Sequence, residues 1–180
     1  MTTTEIEYAL VDKYVLGNKL VATGITKNCG IVSHECDVLV VSSQNYITEF
    51  EIKISVSDVK ADLKKKHKHE CPNIRATYFV IPKDILDKSL CYIPDNFGVL
   101  AVVKTSLYLG RDPSTMLATY EKSYRLELIR RPKYNRTANK ITQDDLMELY
   151  RLENMRKKRY LKKQLQNEGL VYQYERGRWS

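Results

Sequence analysis

The feature that most constrains the fold is a stretch of period-two alternation, residues 46–55 (YITEFEIKIS). Successive side chains of a β-strand point to opposite faces, so the alternation predicts a strand with one apolar side and one polar side. The apolar side comprises Phe50, Ile52, Ile54 and Val56, and the polar side comprises Glu49, Glu51, Lys53 and Ser55. The apolar side is therefore expected to pack into a core.

The stretch before it, residues 34–41 (HECDVLVV), predicts a central strand because apolar residues occupy both of its faces. The turn-forming SSQN between the two stretches predicts a hairpin. If the hairpin is symmetric about Gln44, Asp37 lies opposite Glu51, and Glu35 lies opposite Lys53. Opposed side chains have Cβ atoms about 5 Å apart, so two carboxylates there need a positive partner. A register shift of one residue would abolish this pairing.

These residues have the chemistry of a phosphodiester-cleaving site. Two carboxylates and a backbone carbonyl are hard oxygen ligands that suit Mg²⁺, or Mn²⁺ in its place. Lys53 could then position the attacking water or stabilise the charged phosphorus centre. Taken alone, the strand that carries Glu51 and Lys53 is explained better by a solvated charged face. Asp37 favours the site, because it is the lone charge at the start of an apolar run, where a buried acid needs compensation.

The remaining patterns predict an α/β protein with a mixed sheet flanked by helices. Four further strands are expected at residues 19–25, 76–82, 97–103 and 123–132. The last is expected to be an edge strand, because Pro132 closes it. Residues 104–123 are expected to form a loop.

Helices are predicted from capping signals and apolar spacing. Thr4 and Glu7 form a T-x-x-E capping box that predicts a helix over residues 4–16. A second helix is predicted to begin near Ser57 and a short one to cover residues 83–90. A long C-terminal helix is expected from Thr142, which forms a capping box with Asp145, to about Asn167.

The charge of the chain is unevenly distributed. Residues 1–121 contain 14 Lys and Arg against 15 Asp and Glu, whereas residues 122–180 contain 16 against 7. A basic excess confined to one third of the chain favours a polyanionic partner, most simply nucleic acid. A soluble basic surface without such a partner is the plainer alternative.

Length and composition also indicate the number of domains and the expected cellular compartment. The 180 residues suit one domain, and they contain no apolar run long enough to predict a membrane span. The first residues lack the basic and apolar regions of a secretory signal, so a cytoplasmic protein is expected. Four cysteines without C-x-x-C spacing indicate reduced thiols. A zinc interpretation of His67, His69 and Cys71 lacks a second ligand pair.

The pattern of Asp37, thirteen residues, then Glu51-Ile52-Lys53 resembles the PD-(D/E)XK nuclease superfamily. The longer run EIKISVSDVKADLKKKHKH, followed by YFVIP and IPDNFGVLAVV, resembles its MmcB-like DNA-repair branch and similar phage-encoded proteins. The resemblance covers about residues 29–104, and Cys36 stands where the superfamily motif has proline. It implies a restriction-endonuclease-like core over residues 1–132, followed by a basic loop, a long basic helix and a tail over residues 133–180.

The resemblance also implies roles for individual residues. Asp37 and Glu51 would bind the metal together with the backbone carbonyl of Ile52, and Lys53 would be the catalytic lysine. Glu35 would either assist the metal or pair with Lys53. Supporting roles near the site would fall to Ser55, Asp58 and Asp62, although both aspartates also fit a solvated helix face, and Asp62 could instead pair with Lys65 or Lys66.

Two basic groups are expected to contact phosphates without reading base sequence. They are Lys64, Lys65, Lys66, Lys68 and His69 in the second helix, and Arg156, Lys157, Lys158, Arg159, Lys162 and Lys163 in the last. The long helix has three candidate roles: holding DNA, docking on the core, and pairing with a second copy of the chain as a homodimer.

The sequence therefore predicts a Mg²⁺-dependent DNA endonuclease acting in DNA repair, recombination or phage DNA processing. The expected setting is the cytoplasm of a bacterial cell or of a phage-infected host. Two alternatives remain: a non-catalytic nucleic-acid-binding module on the same fold, and a structural protein whose basic helix binds a protein partner.

Overall fold

A computed structural model describes residues 1–26, 29–62, 71–112 and 114–167. These residues form one six-stranded sheet whose strands are β1 (Asn18–Ile25), β2 (Cys36–Ser42), β3 (Ile47–Ile52), β4 (Ile74–Pro82), β5 (Gly98–Arg111) and β6 (Ala118–Arg130). The order of the strands across the sheet follows their order in the chain. The pairs β3–β4 and β4–β5 are parallel and the other pairs are antiparallel.

Helices cover both faces of the sheet. They are α1 (Thr3–Tyr14), α2 (Val56–Asp62), α3 (Leu86–Leu90), which follows a 3-10 turn at Lys83–Ile85, and α4 (Gln143–Asn167). On one face, α1 packs against the side of β2 that carries Val38. On the other face, α4 packs against the side that carries Leu39, while α2 and α3 pack against β4 and β5. The predicted mixed α/β sheet flanked by helices is confirmed.

The predicted hairpin register is confirmed as far as the β2–β3 ladder extends. Val38 pairs with Phe50, Leu39 with Glu49, and Val41 with Ile47, so each pair is symmetric about Gln44. The turn is closed by a backbone hydrogen bond of 2.9 Å from the Ser42 amide to the Tyr46 carbonyl.

The alternation in residues 46–55 predicted too long a strand. β3 ends at Ile52, Ile54 is exposed, and Val56 is the first residue of α2. The chain turns there because α2 must begin the crossover that returns it to the parallel strand β4.

The first capping box lies two residues before the predicted position. Thr2, and not Thr4, caps α1: the Glu5 amide donates to Thr2 Oγ1 at 3.2 Å, and the Thr2 amide donates to Glu5 Oε2 at 2.7 Å. Because the stretch TTTEIE contains two overlapping T-x-x-E patterns, the pattern alone could not choose between them. The Thr2 amide, together with the Tyr124 hydroxyl, lowers the pKa of Glu5 to about 2.

The predicted loop over residues 104–123 is wrong. β5 continues to Arg111 and β6 starts at Ala118, so most of this segment is a two-stranded ribbon. Its outer part carries apolar and aromatic side chains that are more than half exposed: Leu107, Tyr108, Leu109, Met116, Leu117 and Tyr120. The sequence did not predict these strand extensions because neither face of the ribbon is buried, so its side chains show no apolar alternation. The prediction that β6 is an edge strand is confirmed.

The start of α4 is as predicted. The Asp145 amide donates to Thr142 Oγ1 at 3.1 Å, and the Thr142 amide donates back to Asp145 Oδ2 at 2.9 Å. Among the described helices, none combines the length and the apolarity that a membrane span requires.

Gly98 allows β5 to start directly against an aromatic stack. The rings of Phe50 and Tyr78 lie 5.4 Å apart between centroids with an interplanar angle of 12°. A Cβ atom on Gly98 would overlap the Tyr78 ring and lie 3.0 Å from Cδ of Pro132. The ring cannot readily move away, because Phe50 lies behind it.

We expect Gly98→Ala to lower the free energy of unfolding by about 1–3 kcal/mol, the usual cost of overpacking. Urea denaturation measures the change. Ser106→Ala, on the exposed ribbon of the same strand, is the control and should stay within about 0.5 kcal/mol of wild type. Equal midpoints for Gly98→Ala and the control would contradict this account of Gly98.

Candidate functional site

Charged side chains lie buried on the face of β3 that α2, α3 and α4 cover. The exposed fractions of Glu49, Glu51 and Lys53 are 0%, 3% and 4%. A solvated strand face is thereby excluded as the explanation of this pattern. Because burying a charge is costly unless it is paired, these residues require specific partners.

The ammonium group of Lys53 lies between two buried carboxylates. Its Nζ atom is 2.6 Å from Oε1 of Glu51 and 3.0 Å from Oδ1 of Asp62. Glu51 and Lys53 are brought together by the period of two along an extended chain, and Asp62 comes from the last turn of α2. Asp62 therefore pairs with Lys53 across the start of the crossover. Lys65 and Lys66, its alternative partners, lie outside the described residues.

Asp37 lies at the point where β2 and β3 separate. Its Oδ2 atom accepts a hydrogen bond of 2.8 Å from the amide of Ile52. This bond places the Asp37 carboxylate at the peptide that joins Glu51 to Ile52. The side chain is half-buried, so Asp37 is the member of the group most open to solvent. The structure thus places the Asp37 carboxylate at the backbone of Ile52, the residue between Glu51 and Lys53, at one end of the hairpin.

Ser55 acts through the helix that follows it. Its Oγ atom accepts a hydrogen bond of 3.2 Å from the Asp58 amide, in the geometry of a helix N-cap. The hydroxyl also lies 2.9 Å from that of Ser57. Asp58 is half-buried in the first turn, where the helix dipole favours a carboxylate. Both residues help to begin α2, the helix that carries Asp62 to Lys53.

Glu35 is exposed, whereas the residues on either side of it, His34 and Cys36, are buried. Glu35 is exposed in the segment before β2, whereas Lys53 is buried against Glu51 and Asp62. The residue that enters the core beside it is His34, which was not among the predicted site residues. His34 Nε2 lies 2.6 Å from Oε1 of Glu49. A lone histidine before a strand carries no pattern that would have revealed this contact.

The long helix α4 contacts the rest of the protein as far as Arg156, and its described residues beyond Arg156 are exposed. Leu146 and Leu149 are buried, the Glu153 carboxylate accepts a hydrogen bond of 2.9 Å from the Thr23 amide, and Arg156 pairs with Glu7 at 3.0 Å. Arg156 therefore serves in docking. The cations beyond it are exposed: Lys157, Lys158, Arg159, Lys162 and Lys163. The other basic group, Lys64, Lys65, Lys66, Lys68 and His69, lies outside the described residues.

Comparison with known proteins supports the fold without adding a function. No protein-family model matches the chain, and no curated protein matches it. One solved structure that is similar is the SPO1766 protein of unknown function from Silicibacter pomeroyi. The two share 15% sequence identity and align with a TM-score of 0.55, over 97% of this chain and 98% of that one. At this identity the likeness shows a common fold.

We expect Lys53→Met to destabilise the protein by about 3–5 kcal/mol, because it leaves the buried carboxylates of Glu51 and Asp62 without their shared cation. Chemical denaturation measures the loss. Lys88→Met, an exposed lysine on α3, is the control and should change stability by less than about 0.5 kcal/mol.

Removing all three charges of Glu51, Lys53 and Asp62 tests whether charge, rather than packing, causes the loss of stability in Lys53→Met. The triple variant Glu51→Gln, Lys53→Met and Asp62→Asn should recover much of the stability that Lys53→Met loses, because no buried charge is then left alone. A triple variant less stable than Lys53→Met would show that the lysine matters through packing rather than charge.

Proposed function

We propose that this protein is a metal-dependent DNA endonuclease of the PD-(D/E)XK type, on a restriction-endonuclease-like fold. The observation that carries the proposal is the bond of the Asp37 carboxylate to the amide of Ile52, which lies between Glu51 and its buried partner Lys53 at one end of the β2–β3 hairpin. Its proposed setting is DNA repair, recombination or phage DNA processing.

The residues at this end of the hairpin fit a divalent cation. Asp37, Glu51 and Asp62 supply carboxylate oxygens around the end of β3 and the Lys53 amine. Carboxylate oxygens are the donors that Mg²⁺ or Mn²⁺ prefers, and the half-buried Asp37 offers an approach from solvent. Asp37, Glu51 and the carbonyl of Ile52 would hold the ion.

Each residue then has a role in phosphodiester hydrolysis. Bound Mg²⁺ would lower the pKa of a water molecule and offset charge on the phosphate. Lys53 would orient the attacking water or stabilise the charge that develops on the phosphate oxygens. Asp62 would hold the Lys53 amine in position, and Ser55 would fix the start of the helix that carries Asp62.

The direction of α4 supports DNA binding at the same end of the sheet. The helix starts beside the hairpin turn, where the Ile141 amide donates to the Asn45 carbonyl, and it passes Thr23 and then Gly24. β1 ends beside the start of β2, where Asp37 lies. The exposed cations beyond Arg156 would therefore extend past this end and contact phosphates on either side of the cleaved bond.

The depth at which Glu51 and Lys53 are buried favours one alternative. A lysine with two carboxylate partners and almost no exposure could be structural, which suits a nucleic-acid-binding module without catalysis on the same fold. Metal dependence separates the two functions, since a pure binding module has no need of the Asp37 carboxylate.

We expect the native protein to cut supercoiled plasmid and branched DNA in Mg²⁺ or Mn²⁺, and Asp37→Asn to lower the rate at least about 100-fold. Asparagine keeps an oxygen that can accept the Ile52 amide hydrogen bond, so the variant should fold. Mg²⁺ should raise the melting temperature of the native protein but not that of Asp37→Asn. Asp12→Asn, an exposed acid on α1, is the control for both measurements.

If neither protein cuts DNA in any of these conditions while both bind it equally well, the nuclease proposal fails and the binding module replaces it. Cleavage that persists in Asp37→Asn would instead remove Asp37 from the site.

We expect Lys158→Gln with Lys162→Gln to weaken DNA binding at low salt. The slope of log K against log salt should become shallower by about 0.9 for each phosphate that the variant no longer neutralises. Fluorescence anisotropy with duplex DNA over a salt series measures it. The double variant Lys88→Gln and Lys122→Gln removes the same charge from exposed positions elsewhere and should leave the slope unchanged. Equal slopes for both double variants would exclude α4 from the DNA interface.

A further inference from the structure

A second polar cluster lies deeper on the same face of the hairpin, where His34, Cys36 and Glu49 meet. One ligand atom of each, an imidazole nitrogen, the thiol sulfur and a carboxylate oxygen, all lie within 4.8 Å of one another. All three side chains are buried. His34 comes from the segment before β2, Cys36 is the first residue of β2, and Glu49 lies on β3.

Neighbouring hydroxyl groups orient two of these side chains. The hydroxyl of Thr77 on β4 donates to Oε2 of Glu49 at 2.9 Å. The hydroxyl of Ser33 lies 3.3 Å from Nδ1 of His34, so the other ring nitrogen, Nε2, faces Glu49. Residues that hold the far side of a ligand in this way are typical of metal centres, where they fix ring orientation and carboxylate position.

The three ligand types suit zinc better than magnesium. Zn²⁺ takes imidazole nitrogen, thiolate sulfur and carboxylate oxygen at about 2.0–2.3 Å, which separates the ligand atoms by about 3.3–3.8 Å in a tetrahedral site. The 2.6 Å contact between His34 and Glu49 would have to open by about 0.7 Å to admit the ion. That is a small movement for two side chains that end in rotatable groups.

Charge also favours a cation in this cluster. A buried thiolate beside a buried carboxylate is costly unless a cation binds both of them. A Zn²⁺ ion bound by one thiolate, one carboxylate and one neutral imidazole forms a group with no net charge, which costs least to bury. The Cys36 proton would be released to solvent when the ion binds.

We propose that His34, Cys36 and Glu49 form a zinc site, separate from the group formed by Asp37, Glu51 and Lys53. Three protein ligands leave one tetrahedral position for a further ligand. The proposal does not rest on the nuclease proposal, since it uses different side chains. The competing explanation is a plain hydrogen bond between His34 and Glu49 beside a buried thiol.

Metal content is the first test. Protein purified without chelators and dialysed against zinc-containing and then zinc-free buffer should retain about one Zn²⁺ per chain. After removal of zinc, Co²⁺ should bind in its place and produce the near-ultraviolet charge-transfer band of a cobalt–thiolate bond. Retention well below one ion per chain, together with no such band, would overturn the proposal and leave the hydrogen bond between His34 and Glu49 as the explanation.

Matched variants assign the band to its ligands. Cys36→Ser should abolish the cobalt–thiolate band, while Cys91→Ser, an exposed cysteine, should leave it unchanged. Thr77→Val replaces no ligand atom, and it should weaken cobalt binding about 10-fold by releasing the Glu49 carboxylate. This variant keeps the test decisive if Cys36→Ser fails to fold. Glu51→Gln alters the proposed magnesium group and none of the three zinc ligands, so it should leave the band unchanged. The cobalt measurement therefore tests the zinc site whether or not the protein is a nuclease.

A band that survives Cys36→Ser, or Thr77→Val affinity equal to that of the native protein, would place the ion elsewhere and would also overturn the assignment.

Discussion

The contact of Lys53 with Glu51 and Asp62 is the interaction on which the site depends. It joins the end of β3 to the last turn of α2, the helix that begins the crossover to β4. Because the three groups are buried, each must keep its partner, and the lysine amine is thereby held in one position. A group fixed in this way would be preorganised for the proposed hydrolysis, and it is also costly to disturb. Stability and proposed activity consequently depend on the same atoms.

The second constraint is the separation of the two hairpin strands at Asp37. β3 remains paired with β4 through Ile52 and Val80, while its ladder with β2 ends at Phe50. The Ile52 amide lies beyond the end of that ladder, and the Asp37 carboxylate accepts its hydrogen bond. A carboxylate placed by a backbone contact on two strands is held more rigidly than one on a loop. This opening is also where the buried group comes nearest to solvent.

Local pattern predicted the hairpin, its register and the capped start of α4, because these features depend on residues close together in the chain. It could not predict what covers β3. The alternation of Glu49, Glu51 and Lys53 is the same for a solvated face and for a buried one. Only the packing of helices from distant segments decides between them. The contact of His34 with Glu49 could not be predicted for a related reason. The two residues meet across the hairpin, and their separation in the chain matches no helix, strand or metal-ligand motif.

The two polar clusters on this face differ in the metals that they would select. Asp37, Glu51 and a carbonyl offer oxygen alone, whereas the deeper cluster adds the thiol of Cys36 and the imidazole of His34. Most protein sites bind zinc more tightly than manganese, so geometry and ligand type must provide the discrimination. Zinc would occupy the deeper cluster first, because sulfur and nitrogen favour it, and the oxygen-rich group would remain for magnesium. Zinc in excess would then compete at the outer group and inhibit cleavage without changing the deeper site, so inhibition and cobalt–thiolate absorbance should follow different zinc concentrations.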